Sequence, residues 1–392
     1  MRGPAAQQLA DSSAAERISQ ILREQRQQDA AKRASAAIRE DELAAAAKAL
    51  MSARASQGGQ AVGNAAAAMQ LLPGEESLPS IESLSASWRP PANEPFPRVL
   101  HQSWRSHHVP PRLAGYMRTW RERSPPGWAF KLHTDADNAA LVQSRYAWLE
   151  PAFLQMNAIQ QADVARLLYM HAFGGVYADL DVELLQPLDG LLAQSAAANS
   201  TALVGQEPLA HAVLLERQPR QICNAVLASA RGHPFWLWAL HMAALYVRSD
   251  GGWGDPVGST GPRMLEKAVN KWQLAQGRGF LGLTITPPDA FFPLWDAMQQ
   301  GSFQERCLED SYANDTEIVQ AGLSEQVVST CARLRSEGFV PTVPADGSAY
   351  AAHHWAHSWM EGFSDGFQED KERDVLMLDR MAAAAVEMQD TR

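Results

Sequence analysis

The spacing of apolar residues changes abruptly along the chain. Residues 1–72 are rich in Ala, Gln, Arg and Glu and lack aromatic side chains. Their few apolar positions are too sparse for a sustained heptad. We therefore predict an Ala-rich N-terminal arm here, either solvent-exposed helix or disordered chain. The six prolines between residues 73 and 97 predict a linker.

From residue 98 onward, short apolar runs alternate with segments of helical periodicity. Strands are predicted at 98–104, 128–133, 176–185 and 201–206, and helices at 112–123, 135–145, 159–173, 222–230 and 234–247, with one more helix after Gly261-Pro262. Strands that alternate with helices over short connections are typical of an α/β open sheet.

Two aspartates stand in the segment VYADLDVELL, at the end of one predicted strand. In an extended chain Tyr177, Asp179 and Asp181 share one face, and the apolar residues between them point to the core. Two carboxylates this close repel each other unless a cation or hydrogen-bond donors lie between them. Oxygen ligands suit Mg²⁺ or Mn²⁺, although a solvated acidic strand end is the alternative for so short a motif.

A second polar pair lies on the preceding predicted helix. Asp163 and Arg166 are three residues apart and share a helix face. They could form a surface ion pair, or they could bind sugar hydroxyls and a phosphate oxygen. Ligands of open sheets collect at the carboxyl ends of strands, so both pairs could converge on one crevice.

A histidine- and tryptophan-rich segment, SAYAAHHWAHSW, occupies residues 348–359. One of its histidines could complete an oxygen-rich Mn²⁺ site. The alternative is a polar, aromatic strand end whose histidines bond to the backbone.

Overall charge bears on the choice of ligand. The net charge of −10 gives no long-range attraction for nucleic acid, and an anionic substrate would need a bound cation. Three widely spaced cysteines exclude a zinc ribbon or a CxxC motif. Cys307 and Cys331 could pair in an oxidising lumen, leaving Cys223, or all three could be free thiols. No apolar stretch approaches the ~20 residues that cross a bilayer, and no secretory signal is visible, so the chain is expected to be soluble.

Four segments, in this order, resemble the DXD sugar-binding glycosyltransferases: RVLHQSW at 98–104, GWAFKLHTDAD at 127–137, residues 159–188 around FGGVYADLDVE, and AHHWAHSW at 352–359. This group is typified by the yeast initiating α-1,6-mannosyltransferase. It includes inositol-phosphoceramide mannosyltransferases and α-1,4-galactosyltransferases. The donor-site spacing also resembles that of the large clostridial glucosylating toxins.

The resemblance implies a GT-A-like open mixed sheet flanked by helices. The catalytic domain would span 98–361, after the arm at 1–72 and the linker at 73–97. Residues 362–392 would form an acidic C-terminal helix or tail.

The resemblance also implies roles for individual residues. Asp179 and Asp181 would be catalytic and would bind the metal, together with His353 or, alternatively, His354. The donor would be bound by Asp163, Arg166 and Tyr177 at the sugar and by His101, Gln102 and Trp104 at the nucleotide base. Gly261-Pro262 would lie near the acceptor. Apart from the resemblance, no carboxylate stands out as a covalent nucleophile, so we expect front-face attack by the acceptor hydroxyl, and Glu207 could lie near that point.

The function so implied is retaining, metal-dependent transfer of a hexose, mannose favoured, from a nucleotide sugar to a glycan or glycolipid. The cofactors would be Mn²⁺ or Mg²⁺ and the donor GDP-mannose or a UDP-hexose. The family implies a Golgi or endomembrane lumen, and the arm could contact a membrane or a partner. The alternatives are a non-catalytic sugar-nucleotide-binding protein on the same fold, and a DxD phosphohydrolase. The latter expects Thr or Val where this chain has Glu183.

Overall fold

A computed structural model describes residues 77–89, 91, 95–249, 255–276, 282–308 and 315–357 of the chain. The predicted arm at 1–72 and the predicted tail at 362–392 lie outside these residues. Inside the proline-rich segment, the structure has a short helix whose Ile81 side chain packs into the core.

Eight strands in the described residues form two sheets. They are β1 Val99–Ser103, β2 Ala129–His133, β3 Gly175–Ala178, β4 Val182–Leu184, β5 Ser200–Gln206, β6 Ile222–Ser229, β7 Gly282–Thr286 and β8 Ala351–His353. The larger sheet has the order β2-β1-β3-β6-β5-β7, and β4 pairs with β8 alone. β6 is antiparallel to both of its neighbours, whereas the other pairs in this sheet are parallel.

The helices precede, connect and follow these strands. They are α1 Ile81–Ser85, α2 Pro111–Arg123, α3 Asp135–Arg145, α4 Glu150–Phe153, α5 Ala158–Ala172, α6 Asp189–Ala197, α7 Pro234–Ser249, α8 Pro256–Ser259, α9 Pro262–Gln276, α10 Pro288–Phe291, α11 Gln300–Leu308, α12 Thr316–Gln320 and α13 Ser324–Ser336. A π-helical turn at His211–Leu215 and a 3₁₀ turn at Ala297–Gln299 complete the set.

Two hydrophobic clusters cover the two faces of the larger sheet. On one face Tyr177 and Leu227 pack with residues of α5, α7 and α9. On the other, Val176 and Val226 pack with Trp120 of α2 and with leucines of α6. The predicted α/β fold, an open mixed sheet flanked by helices, is thus confirmed.

Local sequence signals fix the ends of the helices that flank the site. Asn157 caps α5 and forms a reciprocal pair with Gln160, and Thr134 does the same for α3 with Asp137. Gly174 and Gly175 follow α5 with φ of 69° and 87°. A Cβ on Gly175 would lie 2.4 Å from the Val99 carbonyl oxygen, so only glycine fits at the first residue of β3.

Two sequence-based predictions of secondary structure are wrong. Residues 222–229, predicted as helix, form the central strand β6, because all eight are buried and a strand covered on both faces shows no alternation. Residues 176–185, predicted as one strand, are split into β3 and β4, which belong to different sheets.

Cys307 and Cys331 form a disulfide that joins α11 to α13, and Cys223 is a buried free thiol. Within the described ranges, no helix combines the length and apolar character needed to span a membrane.

Candidate active site

The two aspartates lie where the chain passes from one sheet to the other. The Asp179 N–H donates to the Ala225 carbonyl of β6 at 2.8 Å, so this residue stays at the edge of the larger sheet. The Val182 N–H donates to the Asp179 carbonyl at 3.1 Å and closes a turn. Between them, Leu180 packs on Leu113 of α2 and anchors the turn. The carboxylates are therefore held by a turn rather than by a continuing strand.

The second sheet brings His353 to Asp181. β4 and β8 pair antiparallel with Val182 opposite His353. The His354 N–H donates to the Asp181 carbonyl at 2.9 Å, and the Ala356 N–H donates to Asp181 Oδ2 at 2.8 Å. His353 Nε2 lies 3.2 Å from Asp181 Oδ1.

Asp179, Asp181 and His353 together form a group suited to a metal ion. One ligand atom from each lies within 4.8 Å of the others. His353 is buried, and its Nδ1 has no hydrogen-bond partner. Two carboxylates and one imidazole suit a divalent ion such as Mn²⁺, so the donor set fits the predicted metal.

His354, the alternative ligand, points elsewhere. Its Nε2 lies 3.2 Å from Glu183 Oε2, and its ring stacks on Tyr116 at 4.3 Å between centroids. The structure therefore brings His353, and not His354, to the aspartates.

Arg166 connects the helix α5 to the aspartate turn. Its Nη1 lies 3.3 Å from Asp179 Oδ2, and its Nη2 lies 3.3 Å from Asp163 Oδ1. Its guanidinium also lies over the Tyr177 ring, at 5.1 Å from the centroid. The Tyr177 hydroxyl in turn donates to Asp179 Oδ1. Four of the predicted donor-site and metal-site residues thus form one bonded network.

Two residues that the sequence did not single out hold the Asp163 carboxylate. Asn224 Nδ2 donates to it at 2.8 Å, and the Thr260 hydroxyl donates to it at 3.0 Å. Gly261 packs so closely that an added Cβ would lie 3.3 Å from Asp163 Oδ2. A polar Asn inside the apolar run ICNAVLAS is the available signal for Asn224, but that run is predicted as helix.

The electrostatic environment differs between the carboxylates. Burial raises the pKa of Asp163 to about 6, although Arg166 opposes the shift. Burial also raises the pKa of Asp179 against Arg166. For Asp181 burial acts the same way, but the charge and hydrogen bond of His353 outweigh it and hold the pKa well below its usual range. Asp181 therefore stays ionised at any physiological pH.

His101 does not fit its expected contact with a nucleotide base. Its Nε2 bonds to the Gly174 carbonyl at 3.1 Å, and its Nδ1 bonds to His133 Nε2 at 2.9 Å. The ring is buried and stacks on Tyr169 and Phe173. Both nitrogens are occupied, so the structure assigns His101 to the core.

Gln102 and Trp104 remain available for the predicted base pocket. Gln102 is buried, yet its amide nitrogen has no hydrogen-bond partner. Trp104 packs on the cluster of Leu113, Met117 and Leu180, which places it beside the aspartate turn.

Comparison with known proteins shows which families parts of this chain resemble. Residues 110–198 match the family described as "Glycosyltransferase sugar-binding region containing DXD motif". Similar proteins include inositol phosphoceramide mannosyltransferase 1 of Schizosaccharomyces pombe, 30% identical over 178 residues, which are 44% of this chain and 51% of the relative. Mannosyl phosphorylinositol ceramide synthase SUR1 of Saccharomyces cerevisiae is 28% identical over 47% of this chain and 45% of its own length.

Human lactosylceramide 4-alpha-galactosyltransferase is 33% identical over 41% of this chain and 37% of its own length. Among solved structures, PaToxG Glycosyltransferase has a TM-score of 0.33 and 14% identity, covering 50% of this chain and 74% of that one. The chain spans about half the length, or less, of these curated relatives. Over residues 110–198, which contain Asp163, Arg166, Asp179 and Asp181, the resemblance to the DXD sugar-binding glycosyltransferases is therefore confirmed.

Proposed function

We propose that this protein is a retaining, metal-dependent glycosyltransferase. It moves a hexose, mannose favoured, from a nucleotide sugar to a hydroxyl of a glycan or glycolipid. The observation that carries the proposal is the group of Asp179, Asp181 and His353 at the carboxyl end of β3. Relatives named as mannosyl- and galactosyltransferases of ceramide lipids support both the reaction and the class of acceptor.

Asp179, Asp181 and His353 would hold the divalent ion, Mn²⁺ or Mg²⁺. When bound, the ion neutralises the negative charge that the departing nucleoside diphosphate gains. Arg166 does not supply this neutralisation alone, because it is already bonded to Asp163 and Asp179. An acidic protein with a net charge of −10 thus gains a local site for a diphosphate.

The chain's own residues orient the ligands. Arg166 and Tyr177 fix the rotamer of Asp179, and two backbone N–H groups together with His353 fix Asp181. Such fixed groups need no reorganisation as charge develops, which is the main advantage of an enzyme site over water. Asp163 and Arg166 would bind the donor sugar, and Gln102 and Trp104 would contact the base.

The reaction we propose is front-face substitution. The bond between the anomeric carbon and the phosphate oxygen breaks, and its electron pair leaves with the diphosphate. The acceptor oxygen bonds to the same face of that carbon, and its proton passes to the leaving diphosphate. No covalent sugar–enzyme bond is required.

We further propose that the protein works in an oxidising lumen of the secretory pathway such as the Golgi. The disulfide between Cys307 and Cys331 supports this, because disulfides persist in oxidising compartments and are rare in the cytosol.

Titration calorimetry and a donor panel test the proposed function. GDP and UDP should bind in the presence of Mn²⁺ and lose affinity when EDTA is added. Incubation with GDP-mannose, UDP-galactose and UDP-glucose, read by mass spectrometry, should show hydrolysis or transfer with at least one donor. Binding without turnover on every donor would instead identify a non-catalytic sugar-nucleotide-binding protein.

A further inference from the structure

Glu207 lies at the same edge of the sheet as the aspartates. It follows β5 directly, and its N–H donates to the Gln221 carbonyl at 2.8 Å. β3 and β5 are both antiparallel to β6, which lies between them, so they run in the same direction. Their carboxyl ends therefore meet at one edge, where Asp179 follows β3 and Glu207 follows β5. A carboxylate at this position lies at the edge where open α/β sheets bind their ligands.

A buried histidine fixes the orientation of the Glu207 side chain. His211 Nδ1 lies 3.1 Å from Glu207 Oε2, and the Asp296 N–H donates to His211 Nε2 at 2.9 Å. A neutral imidazole carries one proton, so a ring whose Nε2 accepts must donate from Nδ1. His211 therefore donates to Glu207. It sits at the start of the π-helical turn, a type of turn that is frequent at functional sites.

Trp355 links this pair to the group of Asp179, Asp181 and His353. Its ring centroid lies 4.6 Å from that of His211 and 4.1 Å from that of His353. Its indole N–H donates to the Leu294 carbonyl at 2.7 Å, which holds the ring in place. Trp355 has a φ of 48°, a left-handed conformation that a bulky residue adopts only when its surroundings impose it. One aromatic ring thus touches both histidines.

In the described part of the chain, the negative charge of Glu207 is not balanced by a Lys or Arg side chain. Among the described residues, no Lys or Arg lies within ion-pair distance of Glu207, and His211 is its side-chain partner. The side chain is 11% exposed, so part of it reaches solvent. Carboxylates at one sheet edge disfavour one another's charge unless positive charge lies or develops nearby.

We propose that Glu207 is a catalytic residue of the transfer, held in position by His211. This rests on the proposed function. Its carboxylate faces the anomeric carbon and stabilises the positive charge that builds up there as the bond to the phosphate oxygen breaks. Glu207 forms no covalent bond. The electron pair leaves with the diphosphate, and the acceptor proton goes there too. His211 acts through Glu207 and is a positioning residue.

Turnover of Glu207→Gln on the best donor of the panel tests this inference. The amide keeps the shape but loses the charge. We therefore expect kcat to fall roughly 10²-fold, as when one electrostatic group is removed from an active site, with an unchanged Kd for GDP or UDP with Mn²⁺. Glu207→Asp keeps the charge on a side chain one methylene shorter, so its kcat should fall less. Glu337→Gln is the matched control, because Glu337 is a partly buried carboxylate paired with Arg333 at the end of α13.

Variants of His211 test its role in positioning Glu207. His211→Ala should lower kcat by roughly tenfold at an unchanged Kd, and His211→Asn should restore part of it, because its amide can donate from nearly the same place. Melting curves show whether each variant folds. If Glu207→Gln does not fold, the kcat values of Glu207→Asp, His211→Ala and His211→Asn test the same inference. Wild-type kcat in Glu207→Gln would overturn this inference alone, whereas a wild-type protein inactive on every donor would overturn the proposed function.

Discussion

His101 and His353 are both buried histidines on strands, yet their surroundings give them opposite properties. His101 lies between aromatic rings and uses both nitrogens for protein hydrogen bonds. Burial, together with the nearby His133, lowers its pKa to about 3. Burial acts in the same direction on His353, but the negative charge of Asp181 outweighs it and raises the pKa. His353 also keeps one nitrogen without a partner.

Burial alone therefore does not indicate the role of a histidine. Its hydrogen-bond partners and the charges beside it do. A neutral, fully bonded ring surrounded by aromatic side chains contributes to stability. A ring beside carboxylates, with an unused nitrogen, is available for a ligand. Substitutions in the two regions should separate these roles, with effects that range from the loss of turnover to an almost unchanged protein.

Asp181→Asn should abolish turnover, with kcat at least ~10³-fold lower, because the site loses an ionised ligand that also holds His353. Donor hydrolysis in the presence of Mn²⁺ measures the effect. Asp189→Asn, a change at a carboxylate paired with the exposed Arg98, is the control and should remain active. Retained activity with unchanged metal dependence in Asp181→Asn would contradict the assignment of the site.

Acid should destabilise the region around His101. The folded-state pKa values of His101 and His133 are lowered to about 3 and about 4 by burial. Between these values and ~6.5 the unfolded chain binds more protons, so stability is full above ~6.5 and is lost as the pH falls through this window. The slope should be about 1.4 kcal/mol per pH unit for each histidine. Urea unfolding at several pH values measures it, and a flat profile from pH 7 to pH 4 would disprove it.

His353→Ala should weaken Mn²⁺ binding by at least ~10–100-fold, the range seen when even a group that supports a metal ligand is removed. Calorimetry with Mn²⁺ alone measures this loss. Excess Mn²⁺ should restore part of the turnover, since Asp179 and Asp181 remain. Unchanged Mn²⁺ affinity would exclude His353 from the metal site.

His101→Phe should leave Mn²⁺ binding unchanged and cost about 1–3 kcal/mol of stability. The ring stack survives, but His133 and the Gly174 carbonyl lose a buried hydrogen-bond partner. The pH slope of unfolding should also fall by about one proton. A loss of donor binding with normal stability would instead show that His101 contacts the nucleotide base.

His354→Ala should have the smallest effect. His354 is half-buried and pairs with Glu183, which also pairs with Arg123. Loss of a partly exposed ion pair costs at most about 1 kcal/mol. Mn²⁺ affinity should match the wild type, so this variant serves as the neighbour control for His353→Ala. A large loss of metal affinity would show that both histidines contribute.

Most of the α/β alternation could be predicted because helix ends are encoded locally. Thr134 and Asn157 cap helices with residues three positions away, and Gly174-Gly175 ends α5. β6 escaped prediction because its neighbours β3 and β5, which flank it in the sheet, determine its conformation. Because of that error, Asn224 was not predicted as a site residue. Its side chain reaches Asp163 because residue 224 lies in this strand.

By itself, the sequence determined that four residues of the candidate site lie close together. Asp163 and Arg166 are on one helix, and Asp179 and Asp181 follow the glycines that end it. These residues are close along the chain, so local geometry brings them together. Only the tertiary structure placed His353 rather than the side chain of His354 beside Asp181, enclosed His101 in the core and brought Glu207 to the sheet edge of Asp179. Those relations depend on the pairing of β4 with β8 and the order of the larger sheet, which are contacts between distant segments that no local pattern encodes.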